Sequence, residues 1–235
     1  SAWQDAAISS TGVVTLTGTQ TLTNKTLTSP KINEDVAVTS TATELNLLDG
    51  KDATYLAIPG KLAGTNFTNS LLVGHATTGT LSSAERNVGV GITALDALST
   101  GDDNTVIGSA AGSRISTGSK NTVIGSAAGN AFADKIENTL IGYVTGIGLQ
   151  GNYNTIVGSG AGDSTIAANF NLLLGRDSGK NITTGDGNVM LGSVDAASAT
   201  DNRQLKIAGN DGSTTTTWIT GDSSGNLVTP GTITA

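Results

Sequence analysis

Glycine recurs on a near-constant ruler in this chain: Gly74, Gly91, Gly108, Gly125, Gly142, Gly158, Gly175, Gly192 and Gly209. Neighbouring marks stand 17 residues apart, with one step of 16 between Gly142 and Gly158. A fixed period of this size is the signature of a repeat architecture, in which one unit cannot bury its own apolar face and the neighbouring units complete it.

The residues around each mark also repeat. The clearest copies are Asn104-Thr105-Val106-Ile107-Gly108-Ser109-Ala110-Ala111-Gly112 and Asn121-Thr122-Val123-Ile124-Gly125-Ser126-Ala127-Ala128-Gly129. Shorter versions begin at Asn138, Asn154, Asn171 and Asn188, weaker ones surround Gly74 and Gly91, and a degenerate one, Leu205-Lys206-Ile207-Ala208-Gly209, closes the series. The β-branched or apolar run in each copy predicts a strand of roughly 4 to 5 residues. The glycine then bends the chain where a side chain would obstruct it. Further glycines at 112, 129, 146, 162 and 179 mark a second bend. Leu98, Ile115, Phe132, Leu149, Ile166 and Ile182 supply a second apolar position, followed by a polar turn such as Ser116-Thr117-Gly118-Ser119.

These features predict an all-β fold, a β-solenoid or β-roll of 17-residue coils. Coils stacked at strand spacing, about 4.8 Å, would make a rod on the order of 40 Å long. The residues just before the glycines, Ile107, Ile124, Ile141, Val157, Leu174 and Leu191, are expected to form the buried ladder, so Ile124→Asp should disrupt the stack. The recurring asparagine either forms a hydrogen-bonded amide ladder or simply tolerates a turn. A helical 17-residue unit is disfavoured by the Gly, Thr, Asn and Ser content, although one helical turn is admissible at Ala94–Leu98 or Ser193–Ser198.

Composition agrees with an elongated β protein. Aromatic residues make up 3% and charged residues 13% of the chain, while glycine accounts for 32 of 235 residues. Regular apolar spacing with so little charge argues against disorder. Cysteine is absent, which excludes disulfides and thiolate metal sites. The net charge of −7 argues against binding nucleic acid through its phosphates. No stretch approaches the 18 apolar residues of a membrane span, and no signal-peptide pattern opens the chain. A start at Ser1 rather than Met suggests trimming, processing or a fragment.

Three regions emerge. Residues 1–68 lie off the ruler. There threonine alternates with apolar residues, as in Val14-Thr15-Leu16-Thr17, which predicts extended strands, and Thr41–Gly50 has the cap and stop of a short helix. Residues 69–209 are the repeat body. Residues 210–235 carry a predicted hairpin, with Thr214–Thr220 and Asn226–Val228 as strands around Gly221–Gly225. Trp218 is a candidate cap for the open end of the stack.

No catalytic, cofactor-binding or metal-ligating residues are expected, and no cofactor. His75 is the one histidine, and no cysteine or second histidine offers it a partner. Asp102, Asp103, Asp163, Asp186 and Asp222 fall in predicted turns, where turn chemistry accounts for them. Gly146-Ile147-Gly148 lacks the third glycine of a dinucleotide fingerprint, and no Gly-Lys-Ser or Gly-Lys-Thr occurs. Thr105, Thr122, Thr139 and Thr155 form a column one threonine wide, too narrow for an ice-binding face.

Gly18-Thr19-Gln20-Thr21-Leu22-Thr23-Asn24-Lys25-Thr26-Leu27-Thr28-Ser29-Pro30-Lys31-Ile32 resembles a segment found in bacteriophage tail fibres, as does Ala42-Thr43-Glu44-Leu45-Asn46-Leu47-Leu48-Asp49-Gly50. The Asn-Thr-Val-Ile-Gly units resemble tail-fibre repeats and, more distantly, the heads of trimeric autotransporter adhesins, whose repeats are shorter. Trp218-Ile219-Thr220-Gly221-Asp222-Ser223-Ser224-Gly225-Asn226 is similar to segments near the distal ends of such fibres.

The resemblance implies an elongated homotrimeric fibre in the virion tail, made in the host cytoplasm, without membrane insertion. It would join other tail or baseplate proteins through its N-terminal region and attach to a host cell-surface glycan or protein. A glycan-binding adhesin head outside a phage is the alternative reading, and a polysaccharide-degrading tailspike a more remote one.

Overall fold

The structure is a computed structural model that describes residues 60–74, 78–164 and 167–231. The chain divides into compact units at residues 1–56 and 57–235, and all described residues belong to the second. The helix expected at Thr41–Gly50, the shaft strands before residue 60, His75 and Ile166 lie outside the described residues. Residues 68 and 69, where the sequence suggested a boundary, both fall inside one strand, Phe67–Val73.

Among the described residues there is no helix, and one sheet gathers every strand. A hairpin of β1 (Gly60–Gly64) and β2 (Phe67–Val73) opens it, with β3 (Ala84–Glu85) pairing alongside β2. Then each coil contributes one three-residue strand: β4 (Val88–Val90), β5 (Thr105–Ile107), β6 (Thr122–Ile124), β7 (Thr139–Ile141), β8 (Thr155–Val157), β9 (Leu172–Leu174) and β10 (Val189–Leu191). The chain finishes with β11 (Leu205–Asn210), β12 (Thr215–Gly221) and β13 (Leu227–Val228). Pairing from β2 through β4 and on to β11 is parallel, as it must be when each turn of a solenoid returns to the same place one strand further along. Pairing at both ends is antiparallel. The fold is therefore a β-solenoid of 17-residue coils, with hairpins occupying the sheet edges that would otherwise template further pairing.

Each three-residue strand from β4 to β10 sends its middle residue inward, as β2 does at Leu72. Leu72, Val106, Val123, Leu140, Ile156, Leu173 and Met190 are buried. This corrects the expected core ladder. Ile107 is 39% exposed and Ile141 and Leu174 are each 36% exposed, while Ile124, Val157 and Leu191 are half-buried. In a three-residue strand the first and third side chains share a face, so these aliphatic residues point outward with the threonines. The second expected column is correct: Leu98, Ile115, Phe132, Leu149 and Ile182 are fully buried. A third inward column runs through Ala94, Ala111, Ala128 and Ala161, with Thr145 and Ser178 in the same place on other coils.

The glycine ruler has two physical causes. From Gly74 to Gly192, φ lies between 107° and 143° at every mark. A β-carbon on Gly108 would also stand 2.6 Å from the carbonyl carbon of Gly125. The corners thus stack backbone on backbone, with no room for a side chain. Gly209 is not one of these corners. Val189 pairs with Leu205, which places Ala208 opposite Gly192; Gly209 instead lies under the Trp218 ring. The last coil is therefore also 16 residues long, and the backbone N–H of Gln204 reaches Asn188 Oδ1 across that interval at 2.8 Å.

The other short coil loses its residue in the final turn. Asn121 Nδ2 donates to the Lys135 carbonyl 14 residues on, whereas Asn138 Nδ2 donates to the Gly151 carbonyl 13 residues on. The helical turns admitted at Ala94–Leu98 and Ser193–Ser198 do not form. Positive φ at Thr93 and Leu95 breaks the right-handed geometry of the first.

Candidate functional site

The asparagines form a buried ladder. The backbone N–H of Asn104 donates to Asn87 Oδ1 at 3.0 Å, and Asn104 Nδ2 donates to the same oxygen at 2.9 Å and to the Gly118 carbonyl at 2.9 Å. Asn121, Asn138, Asn154 and Asn171 repeat the backbone and amide bonds to the preceding rung. Gln204 ends the run, its longer side chain reaching Asn188 Oδ1 at 3.2 Å. The amides hold one corner of the rod and are spent on its own structure.

Beside this ladder runs a column of residues with left-handed backbone, φ between 54° and 67°: Arg86, Asp103, Lys120, Glu137, Tyr153, Phe170, Gly187 and Arg203. Non-glycine residues hold this conformation because each N–H bonds a carbonyl of the preceding coil, as in Lys120 N–H to Asp102 O at 2.8 Å. The side chains therefore stack one above another on the surface. Their charges alternate: Arg86 pairs with Asp103 at 2.6 Å and Lys120 with Glu137 at 3.5 Å. The Arg86 guanidinium holds the Asp103 carboxyl below its ordinary pKa. Next, Tyr153 and Phe170 stack with ring centroids 4.8 Å apart and planes 7° apart.

The sheet's outward face has the opposite character. One column runs from Val88 through Thr105, Thr122, Thr139, Thr155, Leu172 and Val189 to Leu205, the other from Val90 through Ile107 and Ile124 to Ile207. Neither contains a charged residue. The threonine column is half-buried at Thr105, Thr122, Thr139 and Thr155 and lies beside the aliphatic one.

Most of the turn aspartates tie neighbouring coils together rather than close their own turns, which corrects the expectation of local turn chemistry. Asp102 Oδ1 accepts the Glu85 N–H at 2.8 Å, and Asp186 Oδ1 accepts the Asn169 N–H at 2.6 Å. Asp222 closes the hairpin turn by accepting from the N–H groups of Ser224 and Asn226 at 2.9 and 3.0 Å. Asp163 faces Lys180 at 3.7 Å. Among the described residues no group of three His, Cys, Asp or Glu side chains is placed to hold a metal ion, and no helix is long and apolar enough to cross a membrane.

Trp218 does not plug the end of the coil stack. It is 56% exposed and rests over Gly209, lining a groove with Thr216, Ile219 and Pro230. The edge is closed instead by β12 pairing along β11.

No family model, no curated protein and no solved structure matches this chain.

Proposed function

We propose that the chain is a structural segment of a bacteriophage tail fibre, a rigid homotrimeric stalk that takes part in host attachment. The observation that carries this reading is the unbroken stacking of coils: sheet, glycine corner and asparagine ladder continue from Asn87 to Gln204. Such a stack transmits reach and stiffness, and three identical copies multiply weak contacts with a host surface. The segments quoted above for their resemblance to tail fibres support the same assignment. In this proposal the chain is not an enzyme, its N-terminal region meets other tail or baseplate proteins, and the receptor is a host cell-surface glycan or protein.

The test is sedimentation of the purified chain together with immunogold labelling of phage particles from its source. A trimer mass and labelled tails are expected. A stable monomer, or particles without label, would remove the corresponding part of the proposal, and release of reducing sugar from host polysaccharide would overturn the non-enzymatic part.

A glycan-binding adhesin head is the second reading, favoured by the stacked Tyr153–Phe170 pair on the surface, since aromatic rings offer apolar faces and edges to sugars. Glycan-array binding that disappears in Tyr153→Ala and Phe170→Ala would support it.

A further inference from the structure

We infer that the outward face of the parallel sheet is the surface through which copies of this chain pack together, parallel and in register. This rests on the proposed self-association and names its surface.

Parallel sheets are normally covered on both faces. Here the solenoid interior covers one face, and no described residue covers the other, although its Ile107, Ile141 and Leu174 side chains are more than a third exposed. Charge is also excluded from it. The chain carries 12 basic and 19 acidic residues, and outward positions elsewhere accept them readily, as at Arg86, Asp103, Lys120 and Glu137. Yet both columns of the face are free of charge from Val88 and Val90 through to Leu205 and Ile207.

Three observations point to another copy as the occupant. The face presents aliphatic side chains once per coil, about every 4.8 Å, and a second copy offers the same rise along its whole length. An in-register assembly brings each residue close to its own counterpart, so any charge in the columns would meet itself; their neutrality is what self-packing requires. Finally, the face continues onto the C-terminal hairpin. Ile219 stands opposite Ile207, and Leu227 lies beside Leu205 over Gly221. Sheet edges and faces open to solvent normally carry charged gatekeepers, and these positions do not. The next column, just past the glycine corner, is mixed and bounds the apolar strip: Ile92 and Tyr143 are well exposed there, with serine at 109, 126, 159 and 193 and Arg176.

The chain contains no cysteine, so a single introduced cysteine can cross-link only between chains. The full 235-residue chain is prepared as Ile107→Cys, Leu174→Cys and Lys120→Cys and treated with a short bismaleimide. Covalent dimers are expected for the first two variants, at least tenfold above the level for Lys120→Cys on the charged corner. An oligomer by sedimentation without cross-linking at positions 107 and 174 would overturn this surface and leave self-association standing. A monomer would overturn both. Cross-linking at all three positions alike would also overturn the assignment to this face.

Discussion

Leu95 fills from a turn the space beside Gly89 that Val106 fills from a strand in the next coil. Gly89 and Val106 are partners in adjacent strands, and a β-carbon on Gly89 would meet Leu72 Cδ2 first and Leu95 Cδ1 at 3.3 Å. In the following coil the sizes are exchanged: a β-carbon on Gly112, which occupies the turn place of Leu95, would lie 3.3 Å from Val106 Cγ1. Bulk thus shifts between strand and turn from this coil to the next, and Leu95 accepts a φ of 59° to allow it.

This exchange predicts coupled energetics. Leu95→Gly should cost about 2–4 kcal/mol through the cavity it leaves, and Gly89→Val about 1–3 kcal/mol through overpacking. The double variant moves bulk from turn to strand as in the next coil but leaves Leu72 Cδ2 against the new side chain, so denaturant unfolding should show a coupling of at least about 1 kcal/mol with part of the overpacking cost retained. Strictly additive losses would show that the two sites do not share one space.

Strand direction gives a second expectation. Val123→Asp puts a carboxylate into a fully buried column and should abolish the folded stack, at a cost of several kcal/mol. Ile124→Asp sits on the outward face and should keep the β-type circular dichroism spectrum while changing association. Equal loss of that spectrum in both variants would contradict the assigned inward face.

A third concerns the ladder. Asn121→Ala removes the acceptor for the Asn138 N–H and the donor to the Lys135 carbonyl. Leaving such buried groups unpaired should cost about 2–4 kcal/mol. Hydrogen exchange at the Asn138 amide should speed up ahead of exchange in distant coils; protection unchanged there would mean the ladder contributes little.

The C-terminal turn should respond to acid. The Asn226 side-chain amide, then its backbone N–H, hydrogen-bonds the Asp222 carboxylate and lowers its pKa. A depressed carboxyl stabilises the folded turn above its unfolded pKa, about 4, and that contribution is lost as pH falls through the lower folded value. In an acid titration followed by NMR, the Ser224 and Asn226 amides should shift in that window, and Asp222→Asn should remove the step. A titration at the ordinary carboxyl value would argue against these bonds.

Much of this architecture was legible in the sequence, because backbone constraints leave strong marks. Only glycine fits the stacked corners from Gly74 to Gly192, so its period displays the coil. The C-terminal hairpin appeared near its observed place, as the threonine run of β12 and the turn at Asp222 suggested. Hydropathy does not reveal the inward side of the strand, because both candidate positions are apolar: valine precedes Ile107, whereas isoleucine precedes Val157. The usable signal was parity: Ile107 shares a face with Thr105, and a recurrent threonine marks an outward face. The alanine column leaves little mark in the sequence, because a methyl group gives little hydropathy contrast. Gly209 kept the ruler's spacing by coincidence, while Gln204 in place of asparagine was the true end of the repeat.

The layout of the ladders has a mechanical consequence. Sheet and amide hydrogen bonds both run from coil to coil, so a pull on the chain ends peels them in succession from a terminal coil inward. A coil that gives way releases 17 residues, on the order of 50 Å of slack where about 5 Å had been. Extension under load should therefore proceed in steps, one coil at a time.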